Sequence, residues 1–153
     1  MTVYERIAEH LEQEIGEFYV SDDETAMRFE CMSEILEETL ECSIFTDEDS
    51  FVVVVKLPFV CERKALDEMA KYLAQVNCGM WMGNFDLDYD DGEITFRCFM
   101  TAMDQLPSDE TIGTAIVSAV KAIELNYDDM HEIAAGGATA REIIYANENK
   151  MEQ

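Results

Sequence analysis

The chain has 153 residues and a mass of 17.5 kDa, about one domain's worth of polypeptide, which argues against two independent cores. Hydrophobic residues make up 48% of it, with 8 Phe, 6 Tyr and 10 Met, enough apolar material for a core and too much for global disorder. Ten Lys and Arg against 34 Asp and Glu give a formal charge of −24, which argues against a nucleic-acid backbone or an anionic membrane surface as partner, since both attract clustered cations.

Val3, Ile7, Leu11, Ile15 and Phe18 recur at helical spacing with glutamates opposite them, which predicts an amphipathic helix over Thr2 to Phe18. The polar cluster Ser21-Asp22-Asp23-Glu24 suits a turn after it. Glu5, Glu9, Glu12 and Glu14 stand where a signal peptide would be basic and then apolar. The longest apolar stretch, Phe51 to Val55, is strand-sized and far below the ~18 residues of a membrane span. The five cysteines form an odd set without C-x-x-C spacing, as reduced thiols would. A soluble, cytoplasmic chain is the expectation.

Met27, Phe29 and Cys31, then Leu40, Cys42 and Ile44, alternate with polar neighbours and predict two antiparallel strands. Ser33 to Glu38 between them either links the strands or continues as helix, because its residues favour helix. After the acidic turn Thr46 to Ser50, the run Val52-Val53-Val54-Val55 suits a central strand buried on both faces, with Pro58 ending it. Leu66, Met69, Ala70, Leu73 and Val76 mark a second helix over Glu62 to Asn77, and Gly79 stands where a left-handed cap is expected.

A hairpin follows, with arms near Met80 to Tyr89 and Glu93 to Thr101 and the Asp90-Asp91-Gly92 turn between them. Ile94, Phe96, Cys98 and Met100 share the inward side of its second arm. Ser108 caps a third helix reaching about Ala135, whose apolar stripe includes Ile112, Ile116, Ala119, Val120, Ile123, Tyr127 and Met130. Gly136-Gly137 breaks it, and Thr139-Ala140-Arg141-Glu142 reads as a capping box for a short tail helix carrying Ile143 and Ile144, with Asn147 to Gln153 frayed. The organisation is therefore a domain over residues 1–137 and a short C-terminal tail helix within 138–153.

The acidic segment Asp86 to Glu93 invites comparison with a calcium loop, but placing Gly92 at the loop's glycine puts Leu87 and Tyr89 at ligand positions and Cys98 at the closing glutamate. Asp86 and Asp88 then read as solvent-facing strand residues. A divalent-metal-dependent or carboxylate-based enzyme using Asp86 to Glu93 is the alternative. His10 and His131 lie on different helices with no neighbouring triad or metal pair, and are expected to be partly exposed. Cys31, Cys42 and Cys98 occupy core positions of strands, while Cys61 and Cys78 flank the second helix. No Gly-rich phosphate loop is present, and no catalytic, metal or cofactor residue is assigned. Met80, Trp81 and Met82, between Gly79 and Gly83, read either as core at a strand entrance or as a pliable docking surface. Together with Leu66, Met69 and Leu73 they are the candidate protein-binding residues.

The β-branched strand ending in Leu57-Pro58-Phe59, the helix through Tyr72-Leu73-Ala74-Gln75-Val76-Asn77, then Gly83-Asn84-Phe85-Asp86-Leu87-Asp88 and Asp91-Gly92-Glu93-Ile94-Thr95-Phe96-Arg97 form a recognisable order. It resembles the YbjN family, a bacterial group labelled sensory transduction regulators, over roughly residues 1 to 135. The resemblance implies a fold similar to type III secretion chaperones: α+β, one antiparallel sheet of about five strands, in the order α-β-β-β-α-β-β-α. The elements read from the residues follow the same order. It further implies a small, acidic homodimer that binds other proteins and carries no catalytic residues. Its motif residues read as structural: Gly83 for close backbone approach, Asn84 and Asp91-Gly92 for turns, Phe85 and Leu87 for packing. The expected function is a non-catalytic interaction or regulatory module with a protein partner.

Overall fold

Strands with one apolar face need something to bury it, and here a single layer of helices does so. The computed structural model describes residues 1–151. Its strands are β1 (Tyr19–Val20), β2 (Ala26–Ser33), β3 (Glu38–Thr46), β4 (Ser50–Val60), β5 (Asn84–Leu87) and β6 (Glu93–Thr101). Its helices are α1 (Val3–Glu14), α2 (Leu66–Asn77, preceded by a 3-10 turn over Arg63–Ala65), α3 (Asp109–Ala134) and α4 (Ala140–Met151). The strands form one antiparallel sheet in the order β1-β2-β3-β4-β6-β5. The fold is thus a single α+β domain with the expected element order, extended by β1 and α4.

Alternate side chains of each strand point to the same face. Met27 and Phe29, Leu40 and Ile44, Phe51, Val53 and Val55, Phe85, Ile94 and Phe96 all point inward and are buried. Helix α3 lies across β4 and β6, α2 packs on β5 and α3, and α1 packs on α3. Helix α4 leans on α2, where the Ala140 N–H donates to Glu68 Oε2 at 2.8 Å. Caps follow the residues. Thr2 and Glu5 form a reciprocal capping box at α1, the Ser108 hydroxyl accepts from the Thr111 N–H at α3, and Thr139 and Glu142 form a second box at α4.

Several expectations are corrected. Helix α1 stops at Glu14 because Gly16, at φ 94°, turns the chain out, and Tyr19–Val20 then pairs with β2 as a sixth strand. Residues between Ser33 and Glu38 form a turn rather than helix, with the Leu36 N–H donating to Ser33 Oγ and Glu37 at φ 55°. Pro58 does not end β4, since the register shifts between Lys56 and Val60 and the missing N–H falls within that irregularity. Gly79 is not left-handed: α2 closes through Gly79 N–H to Val76 O and Met80 N–H to Asn77 O, both 3.1 Å. Asn147 to Met151 are helical, and Glu152 and Gln153 lie outside the described residues. The four-valine run is not buried on both faces. Val53 and Val55 are buried, but Val52 and Val54 are only half-buried on an outer face that no helix covers.

Candidate functional site

The segment between α2 and β5 is short and its base is held from both sides. Asn77, the last residue of α2, uses its side-chain amide as an extra strand: Nδ2 donates to the Phe85 carbonyl at 3.1 Å and Oδ1 accepts from the Phe85 N–H at 2.8 Å. On the other side Gly83 sits at φ 145°, where a Cβ would overlap the Arg97 carbonyl oxygen and the Phe96 ring. The backbone of the loop therefore runs against β6 as only glycine permits. Between these two fixed points Trp81 is 98% exposed and Met82 40% exposed, with Met80 half-buried below them.

Asn77→Ala removes the acceptor of the Phe85 N–H and the shorter of two side-chain donors to the Phe85 carbonyl, which keeps only Asn84 Nδ2 at 3.3 Å. The expected loss is about 1–3 kcal/mol, read as a lower denaturant midpoint at unchanged slope. Asn77→Asp keeps one of the two bonds and should fall between.

Of the two readings of the pentapeptide, solvent exposure of Trp81 leaves it outside the core. The other three candidate residues are not its neighbours at the surface. Leu66 is 8% exposed, Met69 0% and Leu73 3%, so the α2 stripe is buried within the single chain. The exposed part of the candidate site is Trp81 and Met82, with Met80 half-buried beneath them.

The acidic hairpin is occupied with its own structure. Asp86 pairs with Arg97 at 2.7 Å and Glu93 with Lys56 at 3.0 Å. The Asp88 and Asp91 carboxylates accept from the N–H groups of Asp90 and Glu93, each at 2.8 Å, which builds the turn. Gly92 accepts φ 76° there, and its carbonyl receives the Cys61 N–H at 2.8 Å. Among the described residues no group of three or more His, Cys, Asp or Glu is placed to hold a metal ion.

His10 departs from expectation in being buried, because α1 presses it against the start of α3. Its Nδ1 lies 2.9 Å from Asp109 Oδ1, which the Arg6 guanidinium also reaches at 2.6 Å. These bonds, Arg6 first, hold the Asp109 carboxyl below the usual carboxylate range. The cluster ties two helices together; nothing in the local sequence of either signals it. His131 is exposed, stacked on Tyr127 and edge-to-face with Phe59. Cys42, Cys61 and Cys98 are buried, Cys78 is exposed, and Cys31 is half-buried at the sheet's inner face. Hydrogen bonding from the Cys42 thiol pulls Cys31 down to about 7, against burial and the nearby Glu124. That diagonal pair across β2 and β3 is invisible in the sequence until the register is known.

Among the described residues no helix is long and apolar enough to cross a membrane. None of the curated proteins compared with the chain matches it. Among solved structures the chain is similar to that of YbjN, "a putative transcription regulator from E. coli", with a TM-score of 0.58 at 10% identity, over 79% of this chain and 85% of that one. At that identity the likeness speaks for the fold alone. The sequence evidence is more direct: residues 4–132 match the family model YbjN, described as "Putative bacterial sensory transduction regulator". That span runs from α1 into the last turn of α3 and takes in the Asn77 clamp, Gly83 and the Asp-Gly turn, and on it the chain belongs to the YbjN family.

Proposed function

We propose that this chain is a non-catalytic interaction module of the cytoplasm, which docks on a protein partner through the Met80-Trp81-Met82 loop and works as a homodimer. The observation that carries the reading is the 98% exposure of the chain's single tryptophan on a loop pinned at both ends. A tryptophan buries ~150–250 Å² on contact and is enriched among residues that dominate binding. The rigid base means little ordering entropy is lost when it docks, and the methionines beside it adapt to the surface they meet. The family's description as a regulator supports the reading. A charge of −24 directs regulation toward proteins rather than nucleic acid. By the chaperone resemblance, holding a client protein is the form of regulation the proposal favours.

Trp81→Ala should leave stability within about 0.5 kcal/mol, because the side chain touches little. Photo-crosslinking from position 80 or 82 and quantitative recovery, each against the Trp81→Ala chain, should show one protein lost at least tenfold. Equal recovery by a folded Trp81→Ala chain would remove the loop from the reading.

A further inference from the structure

The helices leave the outer face of the sheet open, and its middle is apolar. In direct register across three central strands, Phe45 of β3, Val52 of β4 and Phe99 of β6 form a continuous apolar row, with Phe45 50% and Phe99 59% exposed. Val54 extends it along β4. The charged residues beside it nearly cancel: Arg28, Lys56 and Arg97 face Glu30, Glu41, Asp86 and Glu93, and pair among themselves as Arg28–Glu41, Lys56–Glu93 and Arg97–Asp86. Three of the chain's ten lysines and arginines thus gather on one face of a protein carrying −24. The middle of this face, between its acidic ends, therefore carries little of the repulsion that two copies would meet elsewhere.

We infer that a second copy of this chain docks on this face, its Phe45–Val52–Phe99 row packed on the same row of its partner about a two-fold axis running across the strands. The inference rests on the homodimer in the proposed function and supplies its surface. The choice of axis follows from charge. One step along the strands from the apolar row, about 7 Å away, lie Arg28 and Arg97. In the opposite direction the strands end in the acidic turns Asp22-Asp23-Glu24 and Asp47-Glu48-Asp49, the second bonded to the end of β6 through the Ala102 N–H and the Asp49 carbonyl at 2.7 Å. A two-fold across the strands exchanges the two directions and lays the arginines of each copy over the acidic turns of the other. A two-fold along the strands would instead set Arg28 against Arg97. The strands β2, β3, β4 and β6, eight to eleven residues long, make a face of roughly 20 Å by 30 Å, so two copies bury about 1,200 Å², the lower end of stable interfaces.

Light-scattering mass across a dilution series tests it. The intact chain should show twice 17.5 kDa, and Phe99→Lys should raise the dimer dissociation constant at least tenfold while the far-UV spectrum stays native. Lysine is chosen because it lowers the overall repulsion, so loss of the dimer cannot be ascribed to added negative charge. Arg97→Glu and Asp49→Lys should each weaken the dimer alone, and a mixture of the two chains should restore it, since every contact across the mixed pair is then attractive. The Asp49 carboxylate makes no hydrogen bond among the described residues, so this pair decides even if Phe99→Lys fails to fold. A mass of 17.5 kDa at every concentration overturns the inference, and so does a dimer indifferent to Phe99→Lys and to the charge exchange. A monomer in which Phe99→Lys abolishes a foreign partner's binding assigns the face to that partner instead. Trp81→Ala should leave the dimer intact, so failure of the loop reading and failure of the dimer surface are separate results.

Discussion

Replacing Gly83 by alanine should destabilise the domain by about 3 kcal/mol. Two costs add. A residue with a Cβ at φ 145° is strained by ~1–3 kcal/mol, and the Cβ would overlap a backbone carbonyl, Arg97 O, which cannot step aside without parting β5 from β6. The Phe96 ring is the third body in the overlap and is itself buried against Phe85, with ring centroids 5.0 Å apart. For a chain of this length the loss should appear as a melting temperature lower by about 6–12 °C. Gly113→Ala serves as the control, since it lies inside α3 with nothing within 4 Å of its Cβ position and should gain up to about 1 kcal/mol. If Gly83→Ala melts with the parent chain, the close approach of the loop to β6 is wrong, and with it the pinned base that presents Trp81.

Gly83 is legible in the sequence as a glycine ahead of an alternating segment, although the Arg97 carbonyl and the Phe96 ring that forbid a Cβ there belong to β6. The Asp90-Asp91-Gly92 turn, the Ser108 cap and the Thr139-Glu142 box are legible because residues within four positions satisfy one another. Features that depend on what a segment meets are not legible in this way. The four valines of β4 look two-sided because both faces are apolar, yet helices reach only one. That mismatch between pattern and coverage is what marks the outer face as a contact surface. Tyr19–Val20 is too short for alternation to register and becomes a strand only because β2 is beside it. His10 is buried by Arg6 and Asp109, and Asp109 is 99 positions away.

The α2 stripe poses the same ambiguity most sharply, since an apolar row at helical spacing serves a partner or a core equally well. Met69→Ala settles it by energy. The side chain is 0% exposed, between β5 and α3, and its truncation should cost about 2–5 kcal/mol through lost contact and an unfilled cavity. Leu73→Ala should cost a similar amount and Trp81→Ala almost nothing. Partner recovery should divide the other way: Met69→Ala, measured well below its lowered melting temperature, keeps the partner, while Trp81→Ala loses it. The contrast follows from where the water is. Met69 gains from leaving water once, on folding, and has nothing left to gain from a second molecule, whereas the apolar surface of Trp81 is still in water after folding and only a partner can remove it. A Met69→Ala chain that stayed as stable as its parent but no longer bound would return α2 to the interface and place Trp81 at its margin.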